Sequence, residues 1–423
     1  MLIIHADLAH EITWLIATGV IFGILFRPWG LSESLWAVAG AALLVAGSLL
    51  SWRQAWTAVG RGTNVYLFLA GMMLLAELAR AQGLFDWIAA HAVRAARGAP
   101  RRLFMLVYLV GIVVTALLSN DATAVVLTPA VYAATRHARA EPLPYLLICA
   151  FIANAASFLL PIANPANLVV YGSHLPRLGP WLAQFLLPSV LAIGVTFFVL
   201  RATQRDALAG TVHDTPSVPP LTHSARLAAA GIAVTVMVLL WASATGRPLG
   251  APTLVAAVLT VAVALASARR NPWPLVKGVS WSILPLVAGL FVLVSGLART
   301  GLLSLLRTLI ADLALRTGLL AGFAAGAGIA AASNVMNNLP MALVASSLGA
   351  DHGISAVRAS MLIGVDLGPN LSVTGSLATL LWLIALRREN VRVDSLTFLK
   401  IGVLVMPPAL LAALAAAAFV HPM

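Results

Sequence analysis

Two carboxylates stand where carboxylates are costly. Asp121 lies in Leu118-Ser119-Asn120-Asp121-Ala122-Thr123, and Asp366 opens Asp366-Leu367-Gly368-Pro369-Asn370; both motifs interrupt long apolar stretches. An ionisable side chain inside an apolar span is expensive and marks an ion or proton path by default. The competing reading is a helix cap, since an acid at a helix N-terminus complements the macrodipole. For Asp366 the capped feature would be the Gly368-Pro369 break. The two roles are compatible. Glu77 is a third candidate, near the end of a span and three residues before Arg80. That spacing equally suits a snorkelled ion pair on one helix face.

Amides and hydroxyls gather around these acids. One break motif carries Asn120 and Thr123, and the other, Ser333-Asn334-Val335-Met336-Asn337-Asn338-Leu339-Pro340, carries three asparagines. A second polar-interrupted span follows each. Residues 151–172 hold Asn154, Ser157, Asn164, Pro165 and Asn167; residues 362–383 hold Asp366, Asn370, Ser372, Thr374 and Ser376. Asn154 with Ser157, and Asn334 with Asn337 and Asn338, have the spacing of one helix face. All of these polar residues are expected to converge on one pocket. Taken singly, each could instead make an ordinary hydrogen bond between membrane helices. The single cysteine, Cys149, excludes an intrachain disulfide and any Cys-based metal cluster. The nine histidines are scattered without zinc spacing. No metal and no cofactor is expected.

The elements that must position these groups are broken helices. Asn and Asp are poor in helix interiors and good as N-caps. Pro340 suits the first turn of a new helix, where no donor is lost. Each motif therefore reads as a helix that stops at membrane depth and restarts. Such a break is tolerated only against protein or a watery cavity. Paired breaks at corresponding places point to a transport site.

Composition agrees. Of 423 residues, 61% are hydrophobic and 9% charged, against about a quarter charged in soluble domains. Runs such as 34–50, 103–118 and 398–420 suit spans, and about ten are expected. The fold class expected is an all-α integral membrane protein with two re-entrant or broken-helix elements, and not a soluble enzyme. The formal charge of +12 sits in short loops: Arg94, Arg97, Arg101 and Arg102; Arg269, Arg270 and Lys277; Arg387, Arg388 and Arg392. That is the positive-inside pattern rather than a nucleic-acid surface. MLIIHADLAH lacks the basic n-region of a signal peptide, so the first apolar run is expected to stay as a helix.

The chain also repeats itself. Arg27-Pro28-Trp29-Gly30 recurs as Arg247-Pro248-Leu249-Gly250. Leu69-Ala70-Gly71, Leu78-Ala79-Arg80 and Gly83-Leu84 recur as Val287-Ala288-Gly289, Leu297-Ala298-Arg299 and Gly301-Leu302. The polar stretch 201–226, with Pro216, Pro219 and Pro220, reads as the joining loop. Boundaries are expected at 1–200, 201–223 and 224–423, with two inverted repeats. The central loop is expected on the cytoplasmic side. No GxxxxGK[ST] loop is present, so the energy comes from an ion gradient or a separate ATPase.

SNDATAVVLTP (119–129), SNVMNNLPMALV (333–344) and above all DLGPNLSVTGSLATLLW (366–382) resemble the ArsB-type arsenite/antimonite efflux permeases of the ion transporter superfamily. The resemblance covers essentially the whole chain. Its first two motifs are shared with relatives carrying sodium, citrate or other anions. It implies a multi-pass protein of a prokaryotic plasma (inner) membrane that exports trivalent arsenic and antimony in exchange for protons and confers arsenic resistance. The substrate would be the neutral hydroxide, bound by hydrogen bonds from amides and hydroxyls, because one cysteine cannot supply three sulfurs. Asp121, Asp366 or Glu77 would carry the proton. The resemblance further implies a soluble arsenite-stimulated ATPase of the ArsA type as a partner in some hosts. The sequence departs from the family at two positions: some members have Asp where Asn154 stands and Lys where Asn370 stands, a paired neutralisation. The rival is a sodium/proton antiporter or anion transporter of the same superfamily. A membrane scaffold or receptor is a third class, and the paired breaks argue against it.

Overall fold

The computed structural model describes residues 6–210, 212, 220–317, 319–348 and 355–420, and every regular element among them is helical. The chain begins with α1 (Ala6–Phe26), α2 (Glu33–Ala46), α3 (Trp52–Arg61), α4 (Thr63–Ala81) and α5 (Leu84–Ala96). Then α6 (Pro100–Leu117) stops, and α7 (Asn120–Ala122) restarts and runs through a π turn into α8 (Thr128–His137). Next come α9 (Leu143–Ala155), α10 (Pro165–Tyr171) and α11 (Leu178–Thr203). Nearly the same order follows: α12 (His223–Thr245), α13 (Gly250–Ser267), α14 (Trp273–Gly278), α15 (Ile283–Arg299) and α16 (Leu302–Thr317). The chain closes with α17 (Leu319–Met336), α18 (Asn338–Leu348), α19 (Ser355–Leu367), α20 (Leu377–Arg388) and α21 (Ser395–Val420). The expected joining loop falls between α11 and α12; Pro216 and Pro219 lie outside the described residues.

Seven described helices are long and apolar enough to cross a bilayer: α1, α4, α6, α11, α12, α13 and α21; α15 with α16, bent by 74°, would make an eighth. The expected number was larger for a physical reason. A 13-residue helix, a break and a 7-residue helix, such as α9 and α10, read as one apolar run but form two half-spans.

Close crossings join the early helices of the two halves. α4 packs on α13, and α15 packs on α2. A side chain added at Gly71 would lie 2.8 Å from the Thr253 backbone; one added at Gly289 would lie 2.7 Å from the Ala37 backbone. These glycines are the matching members of the Leu69-Ala70-Gly71 and Val287-Ala288-Gly289 repeat. Small residues let membrane helices approach backbone to backbone. Gly71→Leu and Gly289→Leu are each expected to cost on the order of 2 kcal/mol or more by overpacking. Thermal unfolding of the detergent-solubilised variants, followed by size-exclusion chromatography, checks this; unchanged midpoints for both would contradict it.

Candidate functional site

Four helix N-termini meet at the centre, two from each half of the chain. Each is capped by a polar side chain at its break. Ser119 Oγ accepts from Ala122 N at 3.1 Å to start α7, and Asn164 Oδ1 accepts from Ala166 N at 3.0 Å to start α10. Asn337 holds a left-handed φ of 74° and accepts from Leu339 N at 3.4 Å to start α18. Asparagine is among the few non-glycine residues that adopt this conformation readily. Ser376 Oγ accepts from Thr379 N at 3.1 Å to start α20. Oriented backbone N–H groups make such ends attractive to oxygen-rich or anionic groups.

A small cavity lies where these ends converge, lined by Asn120, Asp121, Asn164 and Asn338 over the apolar walls of Leu69 and Leu377. Asn338 Oδ1 is buried without a partner. Asp121 also lines a larger cavity of about 60 Å³, together with Glu77, Ser119, Ser280, Met72 and Met73. Glu77 is 7% exposed and takes two hydrogen bonds from Arg80, at 2.8 and 2.5 Å. Asp121 and Glu77, far apart in sequence, therefore face one space. Asn337 lines a third cavity with Glu33, which pairs with Arg27.

The remaining polar candidates build the frame around these cavities. Thr123 Oγ1 bonds Thr115 Oγ1 at 2.8 Å. Asn154 Nδ2 donates to Asn370 Oδ1 at 3.0 Å, and Asn370 Nδ2 donates to Phe151 O at 3.0 Å. Ser157 Oγ donates to Asn154 O at 2.8 Å, and Asn167 Nδ2 donates to Ser157 O at 2.9 Å, stapling the loop between α9 and α10. Asn334 Nδ2 donates to Gly368 O at 3.0 Å, while its Oδ1 accepts from Ser372 Oγ at 2.7 Å. Thr374 Oγ1 donates to Asn334 O at 3.0 Å. Ser376 Oγ lies 2.9 Å from Thr379 Oγ1. Asp366 is 1% exposed and accepts from Asn164 Nδ2 at 2.7 Å, with its other oxygen unpartnered.

Sequence reasoning missed Thr379, Ser280 and Thr115. The Ser376-x-x-Thr379 spacing, one helical turn from a cap, was the available signal for Thr379. Nothing local marks Ser280, which reaches the cavity only because α14 and α15 pack beside α4. Cys149 is fully buried, its thiol directed at the Tyr145 carbonyl at 3.7 Å, and serves as a small packing residue. Among the described residues no group of three or more His, Cys, Asp or Glu could hold a metal ion.

Residues 15–364 match the family model CitMHS, described as citrate transporter. The chain belongs to the CitMHS family. Its similar relatives include the "Arsenical pump membrane protein" of Yersinia enterocolitica, 31% identical over 93% of this chain and 95% of the relative. A protein of the same name from Escherichia coli is 28% identical over the same shares. A "Putative arsenical pump membrane protein" of Bacillus subtilis is 22% identical over 91% and 93%. The resemblance seen in the three motifs is borne out over nearly the whole chain. In fold, this CitMHS protein is similar to the YdaH transporter of Alcanivorax borkumensis, with a TM-score of 0.57 and 18% identity, covering 86% of this chain and 87% of that one. It is a multi-pass helical membrane transporter and not an enzyme.

Proposed function

We propose that this transporter exports trivalent arsenic and antimony, as the neutral hydroxides, in exchange for protons. The observation that carries the proposal is the chemistry of the central cavities. Four helix N-termini and the amides of Asn120, Asn164 and Asn338 face the small one, Asp121 borders both the small and the larger one, and neither lining contains Lys, Arg or His. A neutral trihydroxide offers three oxygens that donate and accept, which such a site can satisfy. The family model is described by citrate, but a tricarboxylate in these cavities would meet no cationic side chain. The arsenical names of the relatives agree with the first reading.

Geometry also suggests where the substrate loads. Gly278, Val279 and Ser280, which line the larger cavity, directly follow the basic turn with Arg269, Arg270 and Lys277. By the positive-inside rule that side is cytoplasmic, where an exporter must take up its cargo. We place the protein in a bacterial inner membrane with the central loop inside, and read 1–200 and 224–423 as two inverted repeats. A soluble arsenite-stimulated ATPase would dock on that cytoplasmic face.

The test is growth. Expression in an arsenite-sensitive bacterial host is expected to raise arsenite and antimonite tolerance. Asn338→Leu, which replaces the unpartnered amide at the cavity, is expected to lower that tolerance about tenfold or more at unchanged membrane expression, the cost of an unmade buried hydrogen bond. Full tolerance in a well-expressed Asn338→Leu protein would count against this cavity as the substrate site.

A further inference from the structure

We propose that Asn164 is the residue that couples proton binding at Asp366 to the substrate cavity; this deepens the export reading and rests on it. Asn164 holds three positions at once. Its Oδ1 caps α10 through Ala166 N at 3.0 Å. Its Nδ2 donates to Asp366 Oδ1 at 2.7 Å, a contact between residues 202 apart in sequence. Its side of the loop lines the small cavity beside Asn120, Asp121 and Asn338. Asp366 itself does not line that cavity, so it reaches the substrate only through Asn164.

The coupling follows from the strength of one hydrogen bond. A bond to an ionised acceptor is roughly twice as strong as one between neutral groups. With Asp366 ionised, that bond holds the Asn164 amide in the pose in which it lines the small cavity. When a proton binds, the carboxyl becomes a weaker acceptor. The Asn164 amide is then no longer held in that pose and the substrate is released, so proton and substrate exclude one another, as exchange requires. Substrate affinity thus depends on the charge of a residue the substrate never touches.

Among the described residues of α19 and the elements packed on it, Asp366 is the one carboxylate. The elements packed on α19 include α9, α10, α17, α18 and α21. Of these, α17 and α18 carry no titratable side chain. Tyr145 and Cys149 on α9 direct their protons to the Pro100 and Tyr145 carbonyls. Tyr171 on α10 donates to Gln184 and lies beneath Arg358 of α19 itself. Lys400 of α21 is exposed. Asp366 is therefore held by a neutral amide, that of Asn164.

The test uses the full-length protein in proteoliposomes, with arsenite as the probe. Asn164→Ser keeps a capping oxygen but is too short to reach Asp366. In the wild type, arsenite exchange at equal internal and external pH is expected to vary with pH. In Asn164→Ser the pH profile should change shape to match that of Asp366→Asn, and accumulation driven by a pH gradient should fall about tenfold. A profile of unchanged shape, lowered equally at every pH, would make Asn164 a plain ligand and overturn the proposal. So would undiminished gradient-driven accumulation. An independent readout needs no substrate: the infrared carboxyl band of protonated Asp366, assigned with Asp366→Asn, should shift in Asn164→Ser because the amide donor is gone. An unmoved band overturns the proposal. If the wild type moves no arsenite at any pH, the export reading fails by itself, and the band still decides whether Asn164 governs Asp366.

Discussion

Asp121→Asn is expected to abolish uphill export while leaving substrate binding within about threefold of wild type, under about 1 kcal/mol. A neutral cargo gains nothing from the membrane voltage, so charge must move on another group. Asp121 is placed to provide it. It follows the first break, one residue into the restarting helix, and faces both the small and the larger cavity. The larger cavity carries it toward Glu77 and the basic side of the protein. Asparagine keeps the shape of the side chain and much of its hydrogen bonding but cannot titrate. The backbone is unaffected, because the bond at the break is Asp121 N to Asn120 Oδ1 at 2.9 Å. Binding and vesicle transport measured on the same purified variant separate the two effects. If Asp121→Asn still drives arsenite uphill on an imposed pH gradient, Asp121 does not carry the proton.

The second large effect lies in the pair Asn154 and Asn370. Both are buried to 1% exposure or less, and they bond each other across the two halves at 3.0 Å. Asn370 is held from its other side by the Phe151 carbonyl. Asn154→Asp would place a carboxylate against the Asn370 oxygen, with no cation in reach. An uncompensated buried charge costs about 3–5 kcal/mol, so the single variant is expected to lose most folded protein. Asn370→Lys alone should fail for the same reason with the opposite sign. The double variant restores a neutral sum at the same contact and is expected to recover most of the yield. Folded yield after detergent extraction, compared across the cycle, gives the coupling. A double variant no better than the worse single one would show that the contact is not what the two positions share.

The paired neutralisation was visible in the sequence because two departures from one family pattern stood 216 residues apart. Their contact was not visible, since nothing local brings α9 to the break after α19. The breaks themselves were legible for local reasons. Asn120, Asn337, Asn338 and Pro340 are residues that cap or restart helices, and the structure ends and restarts helices there. What the sequence could not separate was lining from frame. Asn120, Asn164 and Asn338 border the small cavity, whereas Asn154, Asn167, Asn334 and Asn370 spend their amides holding the broken segments together. The residue type is the same; only packing decides which face meets the space. Glu77 illustrates this most clearly. Its spacing to Arg80 predicted the ion pair, and the pair is present, but the cavity it shares with Asp121 exists only because α4 packs against the π turn that follows α7. Thr379 was hidden by its neighbours, because Leu377, Ala378, Leu380 and Leu381 read as plain span.

Proton-coupled export of arsenite is tested most directly in everted membrane vesicles containing the wild-type protein. Arsenite uptake is measured with an imposed interior-acid pH gradient, without it, and after its collapse by a protonophore, each in sodium-free buffer. The account predicts accumulation above the external concentration with the gradient, and simple equilibration in the other two cases. Accumulation that ignores the pH gradient, or that appears only when sodium is supplied, would contradict it.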